Sequence, residues 1–129
     1  MSLRLAVLPG RLAVCRLSPE DAIPGWASAA GFSSVTRTRD ELSVVCAEAA
    51  VPADVRCERG WRSLVVAGPL DFGLIGVIAS LAEPLARAGI PIFVLSTFET
   101  DYLLVKEARL AEAGAVLTAA GHEISTLAG

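Results

Sequence analysis

The order of hydrophobic segments in residues 61–124 constrains the fold more than any other feature. An apolar run at 61–67 precedes a segment of about 16 residues with helical spacing. Two short apolar runs at 91–95 and 101–106 follow, then a second helical segment at 108–120 and a short edge strand at 122–124. This order of strand, helix, strand, strand, helix and strand predicts an α+β unit with an antiparallel sheet and helices on one face.

The first helix is predicted from apolar residues that recur every three or four positions, as expected for a helix lying on a sheet. We expect Pro84 to kink this helix, because proline lacks the N–H that would bond to residue 80. Gly89 is the expected C-terminal stop. In the second helix, Gly114 costs about 1 kcal/mol relative to alanine. The predicted apolar face of the first helix consists of Leu74, Ile75, Val77, Ile78, Leu81 and Leu85.

The first sixty residues predict two hairpins with a short helical turn at Pro24 between them. Strands 3–8 and 11–17 flank Pro9-Gly10, a turn signal. Strands 32–38 and 42–48 flank the polar residues 39–41. We therefore predict two domains: residues 1–60 as a degenerate copy of the unit, and residues 61–129 as a complete βαββαβ unit of the ferredoxin-like type.

Composition excludes several classes of function. The chain has 129 residues and a net charge of −3, with no basic stripe that would suit nucleic acid. The apolar N-terminal run stops at Pro9-Gly10, and Gly68-Pro69 interrupts the most apolar segment well below the length that spans a bilayer. We expect a cytoplasmic protein with no membrane partner.

Cysteine and histidine give no sign of a metal or a catalytic site. The chain has three cysteines without CxxC spacing, so neither a disulfide framework nor a zinc site is expected. Cys15 and Cys46 lie in apolar runs and are interpreted as small core residues. His122 follows the second helix and is expected to cap it or to start a strand. No cofactor is expected.

A polar hairpin stands between the two apolar runs at 91–95 and 101–106. Its sequence, STFETD at 96–101, contains neither glycine nor proline, so its residues suit a binding role better than a tight turn. The glycine-bearing segment 68–76 opens the predicted helix, whose free N–H groups favour an anion. Together these segments match a small zwitterion, whose carboxylate would bind at the helix start and whose ammonium would bind Asp101 or backbone carbonyls. The alternative is that Asp101 and the threonines only satisfy backbone groups of the turn.

Four stretches of the chain, ELSVVC, WRSLVVAGPLDF, AEPLARAGIPIF and STFETDYLLVKE, resemble the ACT-domain proteins of the arginine-sensor type. The resemblance runs over nearly the whole chain, and STFETDYLLVKE is its most specific part. It implies tandem ACT units that hold a free amino acid at an interface between units, without catalysis. By this resemblance the ligand contacts are Leu74, Gly76, Val77, Thr97, Phe98, Thr100 and Asp101.

The resemblance also implies a regulatory role, a homodimer and an unknown regulated protein. The alternative is an interaction or dimerisation module that binds no ligand. A small enzyme using Asp71 and Asp101 is a third possibility, but no nucleophile–base pair accompanies these carboxylates, so we predict no enzyme activity. Arginine-sensing members carry an acidic residue where this chain has Leu74. Because an unpaired buried cation is costly, this departure argues against arginine as the ligand.

Overall fold

A computed structural model describes residues 1–29 and 31–126. The chain forms two compact units. The larger unit consists of Met1–Pro9 and Arg62–Gly129, and the smaller unit consists of Gly10–Trp61. Residues 127–129 lie outside the described part, so the predicted second domain is described only up to residue 126.

The larger unit contains the predicted βαββαβ order, which is confirmed from residue 62, in the second half of a long strand, to residue 126. A short 3-10 turn at Glu107–Arg109 precedes the second helix. The α+β class follows from this mixture of strands and helices. The elements are β1 (Arg4–Val7), the second half of β5 (Cys57–Val66), α1 (Val77–Arg87), β6 (Phe93–Ser96), β7 (Asp101–Lys106), α2 (Leu110–Ala119) and β8 (Glu123–Thr126).

The strands of the larger unit lie in the order β8–β1–β5–β7–β6. β1 is antiparallel to β5, with Leu5 opposite Val66, and β6 is antiparallel to β7, with Val94 opposite Leu103. β1 is parallel to β8, with Leu5 opposite Ile124. The predicted antiparallel sheet is therefore correct for the first two pairings and wrong for β1–β8, because β1 inserts between β5 and β8.

The predicted hairpin of strands 3–8 and 11–17 is wrong. β1 pairs with residues 64–66 of β5, whereas β2 (Leu12–Leu17) pairs with β4 (Leu42–Ala47) and with residues 57–61 of β5. Gly10 has a φ of 83°, so the chain does change direction there. A glycine turn permits a hairpin but does not require one, since β1 gains backbone partners on both of its edges by entering the sheet of the larger unit.

The smaller unit contains β2, β3 (Ser33–Arg37), β4 (Leu42–Ala47) and the first half of β5, in the order β3–β4–β2–β5. β3 and β4 are antiparallel, which confirms the second predicted hairpin. A 3-10 turn at Gly25–Ser28 confirms the predicted helical turn, and another lies at Glu48–Ala50. The core of this unit includes Cys15 and Cys46, as predicted.

Both helices cover the same face of the larger unit's sheet, as predicted. Alternate residues of a strand point to one face, and alternate residues of β1, β5 and β7 meet the buried residues of α1 and α2 in one core. Each fully buried leucine in this core stabilises the fold by about 1.5–3 kcal/mol relative to an exposed one. The core consists of Leu5, Val7, Leu64, Val66, Leu81, Leu85, Ile90, Leu103, Val105, Ala113 and Leu117.

The first helix is shorter than predicted. It begins at Val77, because Gly76 adopts a left-handed conformation with φ of 88° that an α-helix cannot contain. Leu74 and Ile75 precede the helix and are 45% and 88% exposed, so they do not belong to its buried face. The predicted stop is confirmed: Gly89 has φ of 72°, and the N–H of the buried Ile90 donates to the carbonyl oxygen of Leu85 at 3.0 Å.

Cys15, Cys46 and His122 are titratable residues that lie inside the protein. Burial, together with the neighbouring Cys46 and Cys57 thiols, raises the pKa of Cys15 to about 12, so this thiol stays protonated at neutral pH. His122, just before β8, is buried; its Nδ1 accepts from the Leu3 N–H at 3.1 Å. Its Nε2 lies 3.1 Å from the carbonyl oxygen of Ser80. Within residues 1–29 and 31–126, no group of three or more possible metal ligands occurs.

Neither described helix combines the length and the apolar character needed to cross a membrane.

Substitution of two leucines tests the corrected start of α1. Leu81→Ala should lower the free energy of unfolding by about 2–5 kcal/mol, because Leu81 is fully buried and its removal leaves a cavity. Leu74→Ala should change it by less than about 0.5 kcal/mol, since Leu74 is 45% exposed. Urea unfolding followed by circular dichroism measures both. Equal losses would mean that Leu74 belongs to the buried helix face after all.

Candidate functional site

A cleft of about 410 Å³ opens in the larger unit between the segment after β5 and the β6–β7 hairpin. The loop 67–76 and the first turn of α1 form one wall, and the hairpin 96–101 forms the other. The lining residues are Leu70, Asp71, Phe72, Leu74, Gly76, Val77, Ile78, Ala79, Ser96, Thr97, Phe98, Glu99, Thr100 and Asp101.

The structure places every predicted ligand-binding residue around this cleft. The loop and the helix start bring Leu74, Gly76 and Val77 to one wall. The hairpin brings the other four to the opposite wall, namely Thr97, Phe98, Thr100 and Asp101. Their part in ligand binding stays a prediction.

The start of α1 presents backbone N–H groups at the cleft. Gly76 is the N-cap, and its carbonyl oxygen accepts the N–H of Ser80 at 2.9 Å, the first bond of the helix. The N–H groups of the three residues between them have no partner within the helix. Val77, Ile78 and Ala79 all line the cleft. This wall is therefore suited to a carboxylate or another small anion.

The Thr97 side chain holds the hairpin turn together. Its Oγ1 donates to the carbonyl oxygen of Thr100 at 3.1 Å and accepts the N–H of Thr100 at 3.3 Å. The Thr97 N–H also donates to the Thr100 carbonyl oxygen at 2.8 Å. The Thr97 hydroxyl therefore satisfies backbone groups of the turn, which is the alternative that the sequence left open for the threonines.

Asp101 keeps hydrogen-bonding capacity for a ligand. The Ser96 hydroxyl donates to its Oδ1 at 2.6 Å. A carboxylate offers about four lone-pair sites on two oxygens, so most of this capacity remains after one bond. Asp101 is partly buried, which strengthens any charge-assisted bond that it makes.

Two hydrogen bonds join the hairpin wall to the end of β5 and to the loop that follows it. Thr100 Oγ1 donates to the carbonyl oxygen of Val66, the last residue of β5, at 2.5 Å. The N–H of Leu70 donates to the carbonyl oxygen of Glu99 at 2.6 Å. Gly68 lies against the same carbonyl group, and a Cβ at this position would be 3.0 Å from the Glu99 oxygen. We call this set the loop–hairpin contact.

The charge of the cleft has one sign. Asp71, Glu99 and Asp101 line it, and the described lining residues include no lysine, arginine or histidine. Oδ1 of Asp71 accepts the N–H of Gly73 at 2.7 Å, which shapes the loop. Three carboxylates beside a helix N-terminus favour a ligand that carries more positive than negative charge.

The rim of the cleft is apolar and exposed. The rings of Phe72 and Phe98 meet edge to face with centroids 4.8 Å apart, one from each wall. They are 75% and 80% exposed, and Ile75 nearby in the chain is 88% exposed. Clusters of exposed large apolar side chains often mark interaction sites. We call Phe72, Leu74, Ile75 and Phe98 the apolar rim.

Sequence reasoning missed part of the cleft. The sequence patterns give no role to Glu99 or Phe72. They suggest only acid–base chemistry for Asp71 and place Ile75 on the helix face. The signal available for Glu99 was its place between two predicted contacts, Phe98 and Thr100. For Asp71, the Asp-x-Gly pattern signals a side chain that closes its own turn, which places the segment outside the helix.

The sequence of this region identifies its family. Residues 56–119, from the start of β5 to the end of α2, match the family model of the ACT domain. The chain belongs to the ACT domain family. A second family model, described as an N-terminal domain, matches residues 10–54. ACT domains bind amino acids in regulatory proteins.

The chain is similar to a curated protein in part of its sequence and to two solved structures over nearly its whole length. The human cytosolic arginine sensor for mTORC1 subunit 1 is 44% identical over 48 residues, which are 36% of this chain and only 15% of that protein. The crystal structure of protein Atu0741 from Agobacterium tumefaciens is 41% identical in sequence to this chain. The two structures superpose with a TM-score of 0.95 over 100% of this chain and 96% of that chain. Aspartate kinase from Synechocystis is 17% identical over 99% of this chain and 28% of that chain, and its TM-score of 0.62 shows a shared fold.

Two glycine substitutions test the conformation of the helix start in this ACT domain. Gly76→Ala should lower the free energy of unfolding by about 1–2 kcal/mol, because alanine is strained at a φ of 88°. Gly114→Ala, inside α2 with no atom within 4 Å of the new Cβ, should raise it by up to about 1 kcal/mol. Urea titration measures whether each substitution lowers or raises the free energy of unfolding. A stabilising Gly76→Ala would mean that α1 extends through residue 76.

Proposed function

We propose that this protein binds a free amino acid without catalysis and regulates another protein through the bound state. The observation that carries the proposal is the cleft itself, in which the N-terminus of α1 faces a hairpin that ends at Asp101. An amino acid has one carboxylate and one ammonium, so this pair of walls suits both groups. The name of the human relative, an arginine sensor, agrees with such a role.

In the proposed complex the ligand carboxylate accepts the N–H groups of Val77 and its two successors. The ligand ammonium donates to Asp101, at an oxygen that the Ser96 hydroxyl leaves free. Both interactions are charge-assisted, and such hydrogen bonds are worth about 1.5–3 kcal/mol each. The threonine hydroxyls already bond to backbone carbonyls, so in this proposal Thr97 and Thr100 frame the cleft and contact the ligand mainly through their methyl groups.

The charge of the cleft favours an amino acid with a cationic side chain. A zwitterion leaves the three carboxylates unbalanced, whereas lysine or arginine adds one positive charge. The departure at Leu74 argued against arginine, because the arginine-sensing pattern has an acidic residue there. Asp71 and Glu99 supply carboxylates on the two walls and answer that objection.

The apolar rim supports the proposal that a second ACT unit covers the ligand. Phe72, Ile75 and Phe98 expose three quarters or more of their surface beside the cleft. Covering them removes apolar surface from water and closes the cleft around the ligand. A second copy of the chain would supply the second unit, so we propose a homodimer, located in the cytoplasm, whose regulated partner is a different protein.

A second candidate function is an interaction module that binds no ligand. The observation that favours it is the 88% exposure of Ile75, which does not line the cleft yet belongs to the same apolar rim. A surface that only docks a protein needs apolar residues there and makes no use of the carboxylates. Ligand binding therefore distinguishes the two candidates.

Binding of an amino-acid panel to two variants tests the proposed site. The panel contains arginine, lysine, glutamine and norleucine, which is lysine without its side-chain ammonium. Asp101→Asn, which keeps an oxygen for the Ser96 hydroxyl, should weaken binding by about 10- to 150-fold through loss of one charge-assisted bond. Isothermal titration calorimetry provides the affinities.

Thr97→Val is the matched control for this experiment. It should melt earlier by an amount worth about 1 kcal/mol, because the hydroxyl closes the turn, and should bind the ligand nearly normally. Lysine should bind more tightly than norleucine. Unchanged affinity in Asp101→Asn would exclude the proposed ammonium site, and binding of none of the four amino acids would favour the interaction module.

Substitution on the apolar rim tests the proposed homodimer. Ile75→Lys should raise the dissociation constant of the dimer by about tenfold or more, because a buried unpaired ammonium is costly. Ile23→Lys is the control, since Ile23 is also exposed, at 54%, but belongs to the smaller unit and is not part of the apolar rim. Sedimentation equilibrium measures both. A monomeric wild-type protein at micromolar concentration would contradict the proposal.

A further inference from the structure

We propose that Thr100 and Gly68 are positioning residues, which hold the start of α1 and Asp101 at a fixed spacing before a ligand binds. The contact itself is a property of the larger unit; its effect on affinity rests on the proposed function. Neither residue needs to touch the ligand with a polar atom for this role. Thr100 bonds to the last residue of β5, and Gly68 lies against the hairpin wall.

The two walls need such a contact because they extend beyond the ends of β5 and β7, two neighbouring strands of the sheet. β5 ends at Val66 and β7 begins at Asp101, and beyond these residues no strand ladder joins the loop to the hairpin. The described backbone bond between the walls is the one from the Leu70 N–H to the Glu99 carbonyl oxygen. Without further support, the spacing of the walls would depend on one bond near the protein surface.

Thr100 supplies that support from the hairpin side. Its Oγ1 donates to the carbonyl oxygen of Val66 at 2.5 Å, across 34 residues of sequence. Val66 is 1% exposed and belongs to the core, so the acceptor is fixed. Asp101 is the next residue along the chain, and its Cα is therefore anchored within one residue of this bond. Thr97, by contrast, bonds only within the hairpin.

On the loop side, Gly68 supports the spacing of the walls because it has no side chain. A Cβ on residue 68 would lie 3.0 Å from the Glu99 carbonyl oxygen and 3.3 Å from the Thr100 Cβ. The first of these atoms is backbone, and it is the same oxygen that accepts the Leu70 N–H. An alanine at this position therefore requires the carbonyl that joins the loop to the hairpin to shift by a few tenths of an ångström. The missing side chain is what lets the loop and the hairpin approach each other.

Leu70 anchors the loop to the core of the larger unit. Leu70 packs against the core through its side chain while its N–H reaches Glu99. The contact is thus connected to buried residues at both ends, through Val66 and through Leu70. A ligand that needs both the helix start and Asp101 then meets a spacing set in advance, which lowers the entropic cost of binding.

Amide hydrogen exchange of Leu70 measures the loop–hairpin contact directly, whether or not a ligand is known. Thr100→Val keeps the shape and removes the hydroxyl, so the Leu70 N–H should exchange about tenfold faster. Thr100→Ser keeps the hydroxyl and should stay within about threefold of the wild-type rate. Gly68→Ala should accelerate exchange at least as much as Thr100→Val. The Thr97 N–H, which bonds within the hairpin, should keep its rate in all three variants.

Three results would overturn the proposal. One is an unchanged Leu70 rate in Thr100→Val and Gly68→Ala. Another is an equal acceleration in Thr100→Ser, which would assign the effect to the methyl group. The third is an equal acceleration at Thr97, which would mean that the hairpin itself opens.

Calorimetry with lysine and arginine separates the contact from its consequence. Thr100→Val should bind the preferred amino acid about tenfold more weakly, and Thr100→Ser should restore the affinity. A lost contact with unchanged affinity would refute the positioning role. If the wild-type protein binds neither amino acid at millimolar concentration, the proposed amino-acid function fails for these ligands and the effect on affinity fails with it, while the exchange rates still decide whether the contact exists.

Discussion

The larger unit depends on covering one face of its sheet with two helices. Alternate residues of β5, Leu64 and Val66, are buried on that face and meet Leu81 and Leu85 of α1. Removing this apolar surface from water is the dominant favourable contribution to folding. Once α1 is packed there, its first turn has one possible place, at the end of the loop that leaves β5. The position of the cleft is therefore a consequence of the hydrophobic core.

The same constraint explains why β1 pairs with β5 and β8 and not with β2, the next strand in the sequence. Leu5 and Val7 alternate as a strand should, and a hairpin with β2 would satisfy that alternation equally well. In the larger unit they lie between β5 and β8 and enter the core formed with α1 and α2. Both edges of β1 then have backbone partners, and its apolar face is covered. Local signals specified a strand, and distant residues specified its partners.

The cleft combines a fixed frame with an open surface. Buried or partly buried groups set the frame: Thr100 bonds to the last carbonyl of β5, and Thr97 bonds within its own turn. The three carboxylates and the apolar rim remain available to other molecules. Two threonines three residues apart thus have different structural roles, because one is opposite the strand end and the other faces only its own hairpin.

The sequence by itself determined the α+β class, the βαββαβ order, the helix stop at Gly89 and the seven residues that meet at the cleft. These features depend on hydrophobic periodicity, on glycine conformation and on a motif that resembles a known family, all of which are local. The tertiary structure alone decided the pairing of β1, the start of α1 at Val77, the addition of Glu99 and Asp71 to the cleft, and the contact of Gly68 with the hairpin. Each of these depends on which distant backbone groups approach one another, and packing of the whole core settles that.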